Sequence, residues 1–225
     1  MTLDSTSDDV AAANLISARL DAMHAGQLQV SVTDGPIFVL LAMASVHAGM
    51  LRPLPSDCDD AAKALQRARP NGYVLAESTK VSGRTPPPRT FVSDYPDGLA
   101  PRYAYVHVSE RGLVEIVAGE LADNRRQLIG LGGIEQSMRK FDALALRTAF
   151  DALGVPGRVV VTAALLGTQS TRVRSRETVP ELDGVLDIPC VRIVPRAFAS
   201  PAELKVQNLN LMVGDLWTKV TTRTS

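Results

Sequence analysis

The sequence predicts a single α+β domain, in which a mixed, mostly antiparallel sheet is packed by two main helices. Several segments carry alternating or continuous apolar residues, which is typical of strands, and two longer segments repeat apolar residues at helical intervals. The length of 225 residues fits one domain. We assign residues 10–220 to this domain and predict a disordered N-terminus at 1–9 and a flexible tail at 221–225.

The first part of the domain is predicted to contain a helix and a hairpin. Polar residues at 7–9 can cap a helix, and the apolar spacing after them predicts that it continues to about His24. Residues 27–32 alternate in polarity like a strand, and Ile37–Ala44 is apolar throughout, like a strand buried on both faces. The turn residues Thr-Asp-Gly-Pro at 33–36 join these segments, which predicts that they pair as a hairpin.

The next stretch is predicted to be less regular. Residues 57–68 begin with acidic and end with basic side chains, an arrangement that suits the dipole of a short helix. A short strand is predicted at 73–77. Residues 79–101 contain five prolines, so we interpret them as a long surface loop that divides the chain loosely in two.

The clearest hairpin of the sequence occupies residues 102–117. In its first strand, one face carries Tyr103, Tyr105 and His107, and the other carries Ala104, Val106 and Val108. The turn is Glu110-Arg111-Gly112, and the second strand follows it.

The C-terminal half begins with a predicted helix over 133–153, whose apolar residues form one stripe. Val159–Leu166 is apolar on both faces, which predicts a central strand. Further strands are predicted at 171–176 and at 185–194, the second interrupted by Pro189. A final helix starts at the capping sequence Ser-Pro-Ala-Glu of residues 200–203 and continues to about Val220.

Composition excludes several kinds of site. Lys+Arg and Asp+Glu both number 24, which argues against a protein that holds nucleic acid by bulk charge. Cys58, Cys190 and the three histidines lack metal-ligand spacing, so we predict no metal site. The glycines before the 133–153 helix do not complete a dinucleotide fingerprint, because position 136 is Gln136, and no phosphate-binding G-K-[ST] motif is present. We therefore predict no cofactor.

The sequence also predicts a cytoplasmic protein without a membrane partner. Its start, MTLDSTSDDV, has no basic region of the kind that opens a signal peptide. The most apolar run, residues 36–50, is interrupted by Ser45 and His47 and is shorter than the roughly 20 residues of a membrane span. Two cysteines in a chain of this length indicate reduced thiols.

The most distinctive basic feature is a row of arginines at alternate positions in the predicted strand 171–176. Arg172, Arg174 and Arg176 would project from one face, where they either remain solvated along a sheet edge or bind an anionic partner. Further basic residues that could extend this surface are Arg125, Arg126, Arg139 and Lys140.

Other polar groups have an ordinary structural interpretation beside a functional one. The Tyr103, Tyr105 and His107 face could stack on bases, or it could fill the core. Glu115, in the returning strand, is interpreted as a buried or edge carboxylate. The acidic residues near position 58 are interpreted as a helix start rather than a metal cluster.

The order of several segments resembles the region that follows the Schlafen/AlbA-type DNA-binding domain in many bacterial proteins. The segments are GPIFVLLAMAS (35–45), RPNGYVLAES (69–78), RYAYVHVSERGLVEIV (102–117), GGIEQSMRKF (132–141), VPGRVVVTAALLG (155–167) and NLMVGDLWTKV (210–220). The resemblance spans roughly residues 13–220. It implies a protein that works with a Schlafen/AlbA-type partner.

The chain departs from that pattern at three points. Residues 40–44 read Leu-Leu-Ala-Met-Ala where the family tends to have L-H-x-x-P. Of the family's F-R-x-G-x-x-E pattern, this chain keeps the glycine (Gly112) and the glutamate (Glu115) but lacks the arginine. No segment before Ala13 could hold the Schlafen/AlbA-type domain itself, so we do not expect its nucleic-acid or nuclease activity in this chain.

Our first hypothesis is a non-catalytic accessory module that oligomerises or binds a partner protein. The alternative is nucleic-acid binding through Arg172, Arg174 and Arg176, extended by Arg139 and Lys140. An enzyme stays open as a third class only because carboxylates and His107 could converge without a recognisable motif.

Overall fold

The computed structural model describes residues 7–49, 51–77, 88–93, 103–123, 128–173 and 184–222. Its helices are α1 (Ser7–His24), α2 (Ser45–Ala48), α3 (Pro55–Leu65), α4 (Gly132–Ser137), α5 (Ala143–Ala152) and α6 (Val206–Thr221). A π-helical turn, Met138–Asp142, joins α4 to α5, and 3-10 turns lie at Pro70–Gly72 and Pro201–Glu203.

The strands form two sheets. They are β1 (Ile37–Ala44), β2 (Ala76–Glu77), β3 (Thr90–Val92), β4 (Ala104–Val108), β5 (Val114–Ala118), β6 (Ala122–Asp123), β7 (Leu128–Ile129), β8 (Val159–Leu166), β9 (Thr171–Val173), β10 (Gly184–Leu186), β11 (Cys190–Arg192) and β12 (Arg196–Phe198). The large sheet has the order β11-β8-β1-β5-β4-β3-β2, with β12 also paired to β8, and the small one has the order β10-β9-β7-β6. Every pair is antiparallel except β7 with β9. The predicted α+β fold with a mostly antiparallel sheet is confirmed.

The strands β1 and β8 lie side by side in the interior of the large sheet, with Ile37 opposite Leu166 and Ala44 opposite Val159. All eight residues of each strand are buried. A strand covered on both faces gains apolar burial at every position rather than at alternate ones. This explains the continuous apolar sequence, and both strands have the predicted bounds.

The two faces of the large sheet are covered by separate apolar cores. On one face, α1 packs through Ile16 and Leu20 against alternate residues of β1, β5 and β8. On the other face, α3, α5 and α6 pack against the intervening residues of the same strands. The number of helices that cover the sheet is larger than the two main helices predicted. In the described part of the chain, four helices of ten or more residues pack on it.

The predicted hairpin at 102–117 is confirmed as β4 and β5. Tyr105 belongs to the α1-side core, whereas Ala104 and Val106 belong to the opposite core, as the alternation indicates. Gly112, in the turn, has a φ of 70°, and a Cβ atom there would approach His47 Nδ1 to 2.8 Å. Both the left-handed backbone and this close approach favour glycine.

Three predictions for the N-terminal half are wrong. Residues 27–32 contain no strand, and β1 pairs with β5 and β8 instead of forming a hairpin with them. Residues 7–9 of the segment predicted to be disordered form the first helical residues of α1, and residues 1–6 lie outside the described ranges. The predicted surface loop 79–101 contains the buried strand β3, because the prolines on both sides of Thr90–Val92 hide a short β-forming segment.

Two predictions for the C-terminal half also change. The predicted strand at 185–194 is two strands, β10 and β11, in different sheets, because Pro189 separates them. The capping sequence at Ser200 starts the 3-10 turn Pro201–Glu203, and α6 begins only at Val206. None of the helices in the described ranges is sufficiently long and apolar to cross a membrane.

Candidate functional site

The outer edge of the large sheet, beside β8, contains an irregularity that positions several functional groups. Both β11 and β12 pair with β8, with Arg192 opposite Ala164 and Arg196 opposite Val161. Residues 193–195 therefore oppose only the two β8 residues 162–163. One extra residue on one strand of an antiparallel pair is a β-bulge, which bends the strand and re-aims its side chains.

Hydrogen bonds hold the bulge in place. The Ile193 backbone N–H donates to the carbonyl oxygen of Ala163 (3.1 Å), and the buried Thr162 hydroxyl donates to the carbonyl oxygen of Ile193 (2.8 Å). Pro195 has no N–H to give to a further partner. With the backbone fixed in this way, Val194 is 74 % exposed, the largest exposure of any large apolar side chain in the described residues.

Charged side chains lie on both sides of Val194. Arg192 forms an ion pair with Asp21 of α1 (2.8 Å), and Arg196 forms one with Asp215 of α6. Each of these four side chains is about half exposed or more, so the two pairs contribute roughly 0–1 kcal/mol each and can exchange partners readily. The edge therefore presents an apolar side chain between two arginines on opposite faces of the sheet.

A cleft of about 440 Å³ opens behind the bulge, where α1 and α6 approach the edge of the sheet. Its polar lining comes from four elements: Ser17, Thr162, Cys190, Arg192 and Lys219. The Lys219 Nζ atom donates to the carbonyl oxygen of Arg192 (3.1 Å). A second cavity of about 450 Å³ adjoins the first and shares with it Lys219 and residues 193–195. We call the first of these the edge cleft.

The two cysteines differ in accessibility. Cys58 is fully buried under the α3 side of the sheet, whereas Cys190 is half-buried and lines the edge cleft. Burial raises the pKa of the Cys190 thiol, and the nearby Arg192 guanidinium lowers it in part. Cys190 is thus a thiol of lowered reactivity that reagents in the cleft can nevertheless reach.

The polar side chains of the β4–β5 hairpin, Tyr105, His107 and Glu115, are buried in the core. Glu115, only 1 % exposed, accepts hydrogen bonds from Arg19 Nε (2.6 Å) and from a second guanidinium nitrogen (3.0 Å), and from the Tyr105 hydroxyl (3.1 Å). The buried His107 ring contacts the Thr90 hydroxyl through Nδ1 (2.9 Å). Burial lowers the pKa of His107. Tyr105 and His107 are thus covered by protein and cannot stack on bases.

The structure describes three of the predicted basic residues and places them on two elements. Arg172 lies exposed on β9, between β7 and β10. Arg139 and Lys140 are exposed on the π-helical turn, a different element. The other members of the predicted surface, Arg174, Arg176, Arg125 and Arg126, lie outside the described residues.

Beside that turn, the segment after α3 is held by an unusual set of contacts. The Arg69 guanidinium lies 4.8 Å from the centre of the Phe141 ring, and the Arg69 backbone N–H donates to Asp142 Oδ1 (2.8 Å). Asn71 has a φ of 51°, and its side-chain amide donates to the carbonyl oxygen of Gly119 (3.2 Å). Burial raises the pKa of the Asp142 carboxyl to about 6.

Sequence reasoning missed the groups at the bulge, although a signal was present. The sequence Arg-Ile-Val-Pro-Arg at 192–196 places a proline inside an alternating apolar segment, and a proline in a strand indicates an edge or a bulge. The edge cleft gave no such signal, because its lining comes from residues as distant in sequence as Ser17 and Lys219.

The described residues contain no group of three or more His, Cys, Asp or Glu side chains that could hold a metal ion. No protein-family model, no curated protein and no solved structure matches the chain.

Proposed function

We propose that this protein is a non-catalytic module that binds a partner protein through the bulged edge of its large sheet. The observation that carries the proposal is the position of Val194: a bulge held by two hydrogen bonds projects an apolar side chain into solvent between Arg192 and Arg196. Exposed apolar groups at the centre of a charged rim are typical of protein-binding surfaces.

The partner segment that fits this surface has an apolar residue flanked by carboxylates. Its apolar side chain covers Val194 and Pro195, and its carboxylates pair with the two arginines beside Asp21 and Asp215. Regular addition of another strand is disfavoured, because the bulge interrupts the edge and Pro195 lacks a hydrogen-bond donor. Side-chain contacts therefore provide the recognition.

A bulge, a proline and two arginines are also devices that keep a sheet edge from pairing with other edges. Protection alone does not account for Val194, because a lysine or glutamate at the most exposed position would protect the edge better. For this reason we favour binding over protection. A second copy of the chain is the competing occupant, which sedimentation of the purified protein would reveal.

Peptide display tests the proposal and makes no assumption about the partner's sequence. A randomised peptide library is selected on the wild-type protein, and each selected peptide is then measured on V194D and V74D by fluorescence anisotropy. Val74 is the matched control, since it is 63 % exposed at a distant position in the chain. We expect peptides that combine acidic and apolar residues and that lose at least about tenfold in affinity with V194D but not with V74D.

Selected peptides that bind V194D as tightly as the wild type, or that are predominantly basic, would refute the proposal. The resemblance to the region after the Schlafen/AlbA-type domain suggests one specific partner to test. A protein with a Schlafen/AlbA-type domain is the partner that the resemblance implies, and its binding should show the same dependence on Val194.

Nucleic-acid binding is the second candidate, and the exposure of Arg172, Arg139 and Lys140 favours it. Anisotropy with labelled single- and double-stranded oligonucleotides at two salt concentrations tests this function on the wild type and on a triple variant with Arg172, Arg174 and Arg176 changed to Ala. If phosphates are bound, the triple variant should weaken binding to all sequences and flatten the salt dependence by about two to three units. Because the net charge is zero, we expect binding no tighter than micromolar.

A further inference from the structure

Several residues that carry hydrogen-bond donors line the edge cleft. Lys219 uses one of its three N–H groups on the carbonyl oxygen of Arg192, which leaves two for another acceptor. Arg192 and Ser17 line the same space from two other elements. A cleft of about 440 Å³ lined by an arginine, a lysine and a serine is suited to an oxyanion.

We propose that the edge cleft binds a carboxylate, held by Lys219 and Arg192. This inference rests on the proposed partner-binding function in one respect: the carboxylate is either an Asp or Glu side chain of the partner segment or a free organic acid. Both sources present the same group to the same two cations.

The charges at the cleft favour a carboxylate over a phosphate. Lys219 and Arg192 contribute two positive charges, and Asp21, paired with Arg192 at 2.8 Å, contributes one negative charge. The remaining single positive charge matches a carboxylate. A phosphate group near neutral pH carries close to two negative charges, so it would leave an excess negative charge beside Asp21.

Cys190 provides a reporter inside the cleft. It lines the same space as Lys219 and Arg192, whereas the other cysteine, Cys58, is fully buried. A carboxylate in the cleft should slow alkylation of Cys190 in two ways: it blocks the approach of the reagent, and its negative charge disfavours the thiolate that reacts.

The experiment measures the rate of Cys190 alkylation by iodoacetamide in the full chain, read as a single adduct by intact mass. Propionate, glutarate, inorganic phosphate and chloride are compared at constant ionic strength. We expect the two carboxylates to slow the reaction saturably, by at least about fivefold, and phosphate and chloride to have little effect. K219Q should abolish the protection, K219R should retain it, and K205Q, which changes an exposed lysine outside the cleft, should behave like the wild type.

Two results would overturn the proposal: carboxylates that leave the rate unchanged, or a slowing that is the same in K219Q or the same with phosphate and chloride. A selected partner peptide and its Glu→Gln counterpart then distinguish the sources. Protection by the Glu peptide assigns the carboxylate to the partner, and protection by glutarate alone assigns it to a free acid. Peptide binding that depends on Val194 without any carboxylate protection of Cys190 would retain the proposed function and reject this inference.

Discussion

The carboxyl group of Asp142 shows how one residue can work against the stability of the fold. It is 2 % exposed in the π-helical turn, and the Arg69 amide donates to it at 2.8 Å. Burial raises its pKa from 3.8 to about 6, despite the opposing effect of that hydrogen bond. The folded protein therefore binds a proton here more readily than the unfolded chain does, so this group favours folding at low pH and loses that contribution as the pH rises through 6.

We predict that D142N removes this pH dependence. Between pH 4 and pH 7 the free energy of unfolding of the wild type should fall, relative to that of D142N, by about 2 to 3 kcal/mol. The asparagine side chain of this variant keeps a carbonyl oxygen for the Arg69 amide and carries no charge. His47 and His107, whose pKa values burial lowers, act in the opposite direction in both proteins and cancel in the difference.

Urea unfolding of both proteins at several pH values provides the measurement. D151N, a change of an exposed aspartate in the same helical segment, is the control and should follow the wild type. A D142N protein with the pH dependence of the wild type would show that Asp142 titrates normally.

Residue-level contacts of this kind could not be read from the sequence. Asp142 and Arg69 are 73 positions apart, and Arg19 and Glu115 are 96 apart. Local periodicity reports which face of an element is buried, but it carries no information on which distant polar group shares that face. Of the two interpretations of Glu115, a buried or an edge carboxylate, the structure shows the buried one, and its partners appeared only in the fold.

At the scale of elements, prediction succeeded where apolar residues are continuous. Ile37–Ala44 and Val159–Leu166 have the predicted bounds because both faces are buried and every position is apolar. Prediction failed at β3, which is only three residues long, because so few residues cannot establish a period. The bulge at 193–195 was missed for the same reason, and the candidate site with it.

Replacement of Val161 by Asp should test the central position of β8. Val161 is fully buried between Ala42 and Arg196 in the large sheet, and an unpaired buried carboxylate there costs several kcal/mol, enough to unfold a typical domain. V194D is the matched control at the exposed edge of the same sheet, and we expect it to fold like the wild type. Circular dichroism during heating compares the two variants, and a V161D protein with an unchanged melting curve would contradict the placement of β8.

At the scale of the whole molecule, two apolar cores share one sheet. In the described residues, the α1-side core and the opposite core use alternate residues of the same strands, such as Val160 and Val161 of β8. Disruption of either core exposes one face of these strands, and their hydrogen-bonded ladder cannot persist in water with one face uncovered. The described ranges should therefore unfold as a single cooperative unit.

The chain offers a direct test of this coupling. Arg19 joins α1 to the sheet by its ion pair with Glu115, on one face, and the single tryptophan, Trp217, packs against the core on the other face. R19A leaves the buried Glu115 without its cation, so we expect a loss of about 3 to 5 kcal/mol. If the cores are coupled, urea unfolding followed by Trp217 fluorescence should show this full loss and coincide with the transition seen by far-UV circular dichroism.

The control is K63A, which removes an ion pair whose two side chains are both exposed, and it should change stability by less than about 1 kcal/mol. An R19A protein whose circular dichroism shifts while the Trp217 transition remains at its wild-type midpoint would mean that α1 detaches alone and that the two cores are independent.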